Sequence, residues 1–262
     1  MRATYPRVHL IARPDVDWDA VVAYLNSVGG TAWSDRVRED SAPAGQALVE
    51  FMGRMCYRSW SAGLNPNVTR VRENSEAYLD NILASAHGSV LEHINYTFVF
   101  QDVSRVFTHE LVRHRAGAAI SQESLRYVRL DDLPFEHPSF IRDNPDLAVE
   151  AEDLLMRMER FQARIAELTG LDEPDVDFHT KKAVTSGARR YAPDGVATTI
   201  GWTANVRTLR HVIALRTAES AEEEIRRVFD QVAEIMQAEL PALFHDFVRQ
   251  PDGTWVPQHF KV

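Results

Sequence analysis

Within the fifteen residues RHRAGAAISQESLRY, the cationic or ionisable side chains Arg113, His114, Arg115 and Arg126 flank two serines, Ser121 and Ser124. Guanidinium forks beside hydroxyls are the groups that hold a phosphate or an anionic ring. From Arg105 to Arg129 five arginines stand against Glu110 and Glu123, a local charge of +3 in a chain of formal charge −9. By itself such a segment also fits a solvated basic helix end. A second island holds Lys181, Lys182, Arg189, Arg190, Arg207, Arg210 and Arg216 against Asp194, a local +6. Together the islands carry +9, which leaves −18 for the rest. So uneven a map predicts an anionic ligand between them.

On a helical wheel Val206, Leu209, Val212 and Ile213 form an apolar stripe, and Arg216 falls inside it. An inward arginine needs an acceptor, either an internal carboxylate or a ligand. The segment His109-Glu110-Leu111-Val112-Arg113-His114 imitates a zinc-protease helix. Its second histidine stands at i+5, about 140° around the helix from the first, so no metal site is expected. The single cysteine, Cys56, falls in a helical pattern beside Met52 and Met55 and is expected in or next to a core.

The elements that must position these groups follow from periodicity. Residues 7–12 predict a strand, 17–25 a helix, and the Gly, Ser and Pro-containing 29–45 a loop. Helices are predicted over 46–60 and 73–86, with a loop at 63–69. Ile94, Tyr96, Phe98 and Phe100 alternate with polar residues, which predicts a strand over 94–103. Ser104 then caps a helix running to Arg115, followed by a loop over 131–139. Further helices are expected over 146–168, 203–217 and 220–248, the last kinked before Pro241, with a strand over 196–202 and a loose tail from Gln250.

With 262 residues, 45% of them hydrophobic and 26% charged, the chain has the composition of a globular protein. No apolar run reaches the roughly 18 residues of a membrane span, and the first residues lack a signal-peptide core, so a cytoplasmic protein is expected. One cysteine permits no internal disulfide, in keeping with a reducing compartment. Net acidity argues against a general nucleic-acid binder.

The signature resembles that of the flavin-dependent thymidylate synthases: RHR, a short spacer, then Ser, a variable residue, Arg and usually Tyr. Here these are Arg113, His114, Arg115, Ser124, Arg126 and Tyr127. The spacer between RHR and Ser121, Ala116 to Ile120, is one residue longer than usual and lacks the serine the family carries there. Upstream, Glu92-His93 matches a glutamate-histidine pair. Downstream, Trp202, Thr203, Asn205, Arg207, Leu215 and Arg216 keep the family's spacing, as does Arg189 before Pro193. His211 stands where an asparagine is common.

The resemblance implies an α/β (α+β) fold with a central mixed or antiparallel sheet flanked by long helices, and no Rossmann fingerprint. It implies one domain over 1–262, with 1–45 an N-terminal elaboration, assembled as a homotetramer with shared sites. The implied reaction is C5 methylation of a uracil nucleotide by methylenetetrahydrofolate, with FAD reduced by NADPH. Arg216 would stabilise charge on the uracil. Glu110, Arg113, Gln122, Ser124, Arg126 and Arg189 would hold the nucleotide, while His93, His114, Arg115, Asn205, Arg207 and His211 would face FAD. Glu110 stands where glutamine is often found, either as an acceptor for a sugar hydroxyl or as an exposed helix carboxylate. With the longer spacer it suggests that UMP as well as dUMP is accepted. A module that binds flavin, nucleotide or RNA without methylating anything is the alternative from another class.

Overall fold

In the computed structural model, residues 2–125 and 134–262 are described. Arg126 and Tyr127 of the signature, and the first part of the expected loop over 131–139, lie outside the described residues. The strands are β1 (Arg2–Ala3), β2 (Arg7–Ala12), β3 (Asn95–Ser104), β4 (Ala118–Gln122), β5 (Pro134–Phe135), β6 (Ala197–Asn205), β7 (Phe247–Arg249) and β8 (Trp255–Pro257). The helices are α1 (Trp18–Val28), α2 (Thr31–Glu39), α3 (Ala44–Tyr57), α4 (Ser75–Ala84), α5 (Arg105–Leu111), α6 (Ser139–Arg142), α7 (Pro145–Leu168), α8 (Phe178–Ala188), α9 (Val206–Arg216), α10 (Glu223–Glu239) and α11 (Pro241–Phe244).

Four strands pair antiparallel in the order β2-β3-β6-β4. Parallel pairing is confined to the short β1–β5 couple, and β7–β8 is a separate antiparallel hairpin. Period-2 patterning sets the central register: Phe98 lies opposite Trp202, and Ile120 pairs with Trp202 from the other side. Tyr96, Phe98, Phe100, Ile200 and Trp202 are no more than 2% exposed and face the buried stripes of α9 and α10. Each such side chain contributes about 1.5–3 kcal/mol by leaving water.

Where the structure departs from the pattern, tertiary packing overrides local preference. The expected loop at 29–45 contains α2, because Trp33 and Val37, one turn apart, bury into an aromatic cluster with Trp60 and Leu25. Trp33 Nε1 also donates to the buried Glu50 carboxylate at 2.8 Å. Cys56 is exposed: α3 buries the face of Val49, Glu50, Gly53 and Arg54 instead. β6 runs three residues beyond the predicted strand end, and α5 stops at Leu111, so RHR lies in the turn that follows. The last predicted helix breaks at Leu240, and the tail is the β7–β8 hairpin.

Candidate functional site

Helix α5 is the partition of the candidate site. Ser104 caps it, its Oγ accepting from Phe107 N at 3.1 Å. The same hydroxyl donates to the buried carboxylate of Glu224, which also accepts from Ser104 N at 2.7 Å. Burial pushes the Glu224 carboxyl up to about 7. Thus the base of α5 is anchored to the start of α10.

The turn after α5 forms one wall of a first cleft, about 540 Å³ in volume. Arg113, His114 and Arg115 line it from that turn, and Asn205, Arg207 and His211 from the β6–α9 junction. Asn205 caps α9, accepting from Thr208 N at 2.8 Å, and its own N–H donates to Gly117 O at 3.0 Å. Gly117 has φ +66°, and a Cβ there would sit 2.2 Å from Asn205 Nδ2, so only glycine allows this approach. Glu92 completes the rim through an ion pair with Arg207 at 2.6 Å. His93, the neighbour expected to face the cofactor, is exposed and does not line the cleft.

A second cleft, of about 390 Å³, is lined by α5. Gln122 and Ser124 enter it from the end of β4, Arg189 from the end of α8, and Arg105 and His109 from α5 itself. The Arg105 Nε is buried with no partner among the described residues. Burial lowers its guanidinium pKa, opposed first by Glu123 and also by Asp194, both lining the same cleft, and assisted by the nearby Arg189 cation. Two arginines crowded this way favour an anion between them.

Arg216 reaches the partition from the last turn of α9. Its Nη1 donates to Glu110 Oε2 and its Nε to His114 Nε2, both at 2.7 Å. The inward arginine has therefore found an internal carboxylate, and Glu110 is not a free helix carboxylate. Because His114 Nε2 accepts, the ring is neutral with its proton on Nδ1. Burial, then Arg216 and His211, depress its pKa to about 4.

Residues of both basic islands thus meet within this one chain, in both clefts, without a second subunit. Lys181 and Lys182 line neither cleft, and nor does Arg210. It is 3% exposed and forks Asp246 with two bonds of 2.8 Å, so it serves the interior. Sequence reasoning gave no role to Arg105, His109 or Glu92. The i, i+4 spacing of Arg105 and His109 on one helix face was the available signal. Among the described residues no His, Cys, Asp or Glu cluster is placed to hold a metal ion. No helix among them is long and apolar enough to cross a membrane.

The sheet thus carries two arginine-lined clefts near one short helix, an arrangement whose charge suits anionic groups. Residues 39–242 match the family model described as "Thymidylate synthase complementing protein". The flavin-dependent thymidylate synthase of Mycobacteroides abscessus is 35% identical over 260 residues, covering 95% of this chain and 91% of that protein. That of Mycobacterium sp. (strain JLS) is 37% identical over 278 residues, covering 98% and 96%. The chain belongs to the flavin-dependent thymidylate synthase family.

Two solved structures share the fold. Thymidylate synthase X from Helicobacter pylori, solved with FAD and dUMP, aligns with TM-score 0.52 at 21% identity, over 77% of this chain and 93% of that one. The UMP/dUMP methylase PolB from Streptomyces cacaoi, bound with 5-Br dUMP, aligns with TM-score 0.57 at 16% identity, over 94% and 96%.

Proposed function

We propose that this chain methylates C5 of a uracil nucleotide, dUMP and also UMP, taking the carbon from methylenetetrahydrofolate and reducing equivalents from NADPH through FAD. The observation that carries the proposal is the joint of Arg216 with Glu110 and with His114, which lines the first of two cation-lined clefts; Arg216 and Glu110 themselves line neither. In this reading the first cleft takes FAD. Its residues fit that group: Arg113, Arg115 and Arg207 suit a diphosphate, and the Gly117 backbone leaves the wall free of side chain. Bound FAD supplies the hydride.

The second cleft takes the nucleotide, with Arg105 and Arg189 on the phosphate and Gln122 and Ser124 beside it. Arg113, expected to hold the nucleotide, lines the first cleft instead, and the expected role of Arg126 falls outside the described residues. Arg216 stabilises negative charge on the uracil, and the neutral His114 holds that fork in place without competing for charge. Glu92 keeps Arg207 in position, while His93 receives no role. No thiol nucleophile is placed here, because Cys56 lines neither cleft.

A homotetramer working in the cytoplasm is part of the same proposal, with all 262 residues acting as one domain. In its support, α7 buries only Leu155 and leaves Val149, Leu154, Met156, Phe161 and Leu168 exposed, an apolar face of the kind that assembly covers. A non-catalytic RNA binder fits less well, because Arg210 is committed to Asp246. The test is an assay of the purified protein with FAD, NADPH, methylenetetrahydrofolate and either nucleotide. The expected result is a flavin-coloured protein that forms methylated product from both. Absence of flavin uptake and of methylated nucleotide overturns the proposal, and turnover of dUMP alone removes the UMP part of it.

A further inference from the structure

The segment after α11 reaches the first cleft, although nothing in the signature involves it. Beyond the β7–β8 hairpin the chain returns to place Val262 among the lining residues, beside Arg207 and Glu92. Its tethers land on α9 and α10. Asp246, 4% exposed, is forked by Arg210 and accepts from His259 N at 3.2 Å, while its backbone oxygen accepts from Gln258 N at 3.0 Å. Trp255 N donates to Thr217 Oγ1 at 2.9 Å, and Trp255 Nε1 to Asp230 at 2.8 Å. The segment is therefore built onto the helix that carries Arg207, His211 and Arg216.

Where it meets the cleft there is no slack. A Cβ on Gly88 would lie 2.6 Å from Arg207 Nε and 2.8 Å from the carbonyl carbon of Val262. Gly88, Arg207 and Val262 form one close-packed joint at the rim, and Val262 also packs on the main core. A side chain at residue 88 would have to displace the cation or the tail.

We infer that Val262, carried by the segment 258–262, is a fixed part of the wall of the first cleft, with Arg210 as the segment's positioning residue through Asp246, and that this wall sets how tightly the cleft retains its dinucleotide. The inference rests on the reading of that cleft as the FAD site. Arg210 touches no ligand in this account. It holds the floor of α9 and the tail in one register, so that Arg207 and Val262 keep their spacing across the opening.

The experiment compares the full chain with a deletion of Phe260–Val262 and with Gly88→Ala. The deletion leaves Arg210–Asp246 and His259 in place, and the substitution leaves the tail present but displaced at its joint. Quenching of flavin fluorescence gives the dissociation constant for FAD, and steady-state kinetics give KM for dUMP. Each variant is expected to weaken FAD binding about tenfold while KM for dUMP stays within about twofold, because no tail residue lines the second cleft. Unchanged FAD affinity in both variants overturns the wall, as does a parallel rise in KM for dUMP. Should the full chain itself take up no FAD, the reading of the cleft fails instead, and the two failures are told apart by that one control.

Discussion

The two clefts each present three arginines among the described residues, Arg113, Arg115 and Arg207 in one and Arg105, Arg189 and Arg190 in the other, and the chain treats them differently. In the first, Arg207 already has Glu92 at 2.6 Å, and Asn205 spends its acceptor on the helix cap. In the second, Arg105 has a buried Nε without a partner among the described residues, and burial, assisted by Arg189, lowers its pKa against Glu123 and Asp194. Both sites are partly neutralised by the chain, the first by Glu92 and the second by Glu123 and Asp194, but of the two sets of arginines only Arg105 has a buried nitrogen without a partner among the described residues. That contrast suits a resident group beside a substrate that comes and goes.

The sharpest way to break the comparison is at the Arg216 joint. Arg216→Ala is expected to lower kcat by about 10³ with little change in KM, because its fork acts on charge that develops during reaction. A change in KM alone would mean that Arg216 only binds. Arg105→Ala should raise KM for the nucleotide by about 10- to 100-fold, the effect of one charge-assisted contact, and leave FAD affinity unaltered in a titration. If FAD affinity moves instead, the two clefts do not have separate occupants.

The base of the partition offers a test by pH. Glu224 has its folded pKa raised to about 7, so the stability it contributes is complete below the unfolded value near 4.5 and is lost as pH rises through 7. Glu224→Gln should remove that loss and gain about 1–3 kcal/mol at pH 8 relative to pH 4.5, measured by urea unfolding. His114 works in the opposite sense. Its folded pKa is depressed to about 4, so its contribution is present above the unfolded value of about 6.5 and is lost as pH falls toward 4. The smallest effect is expected for Glu92→Gln, which should change stability in urea unfolding by less than about 1 kcal/mol because its ion pair with Arg207 is solvent-exposed.

Much of the scaffold was legible from local pattern. The alternation through Tyr96, Phe98 and Phe100 and the stripe Val206, Leu209, Val212 and Ile213 each bury as their periods demand. α2 escaped because its two anchoring residues, Trp33 and Val37, sit among glycines, serines and charges. At the site, Arg216 was marked by its own helix face, since an inward cation must be answered. The partition was not legible. It depends on α5 ending at Leu111 and on β4 pairing with β6 in the register Ala118 opposite Ala204, both decided by distant contacts. Glu92 and Arg207 are 115 positions apart, and nothing in either segment announces the pair.

Asn205 ends β6 and caps α9 with no intervening residue. Sheet and helix are therefore geared together at that point. A single residue added there would turn Arg207, His211 and Arg216 by about 100° about the helix axis, disrupting the first cleft and the Arg216 joint at once. Changes of substrate can accumulate in the signature loop, but this junction tolerates neither insertion nor deletion, and a scan of one-residue insertions should find it the most sensitive point of the chain.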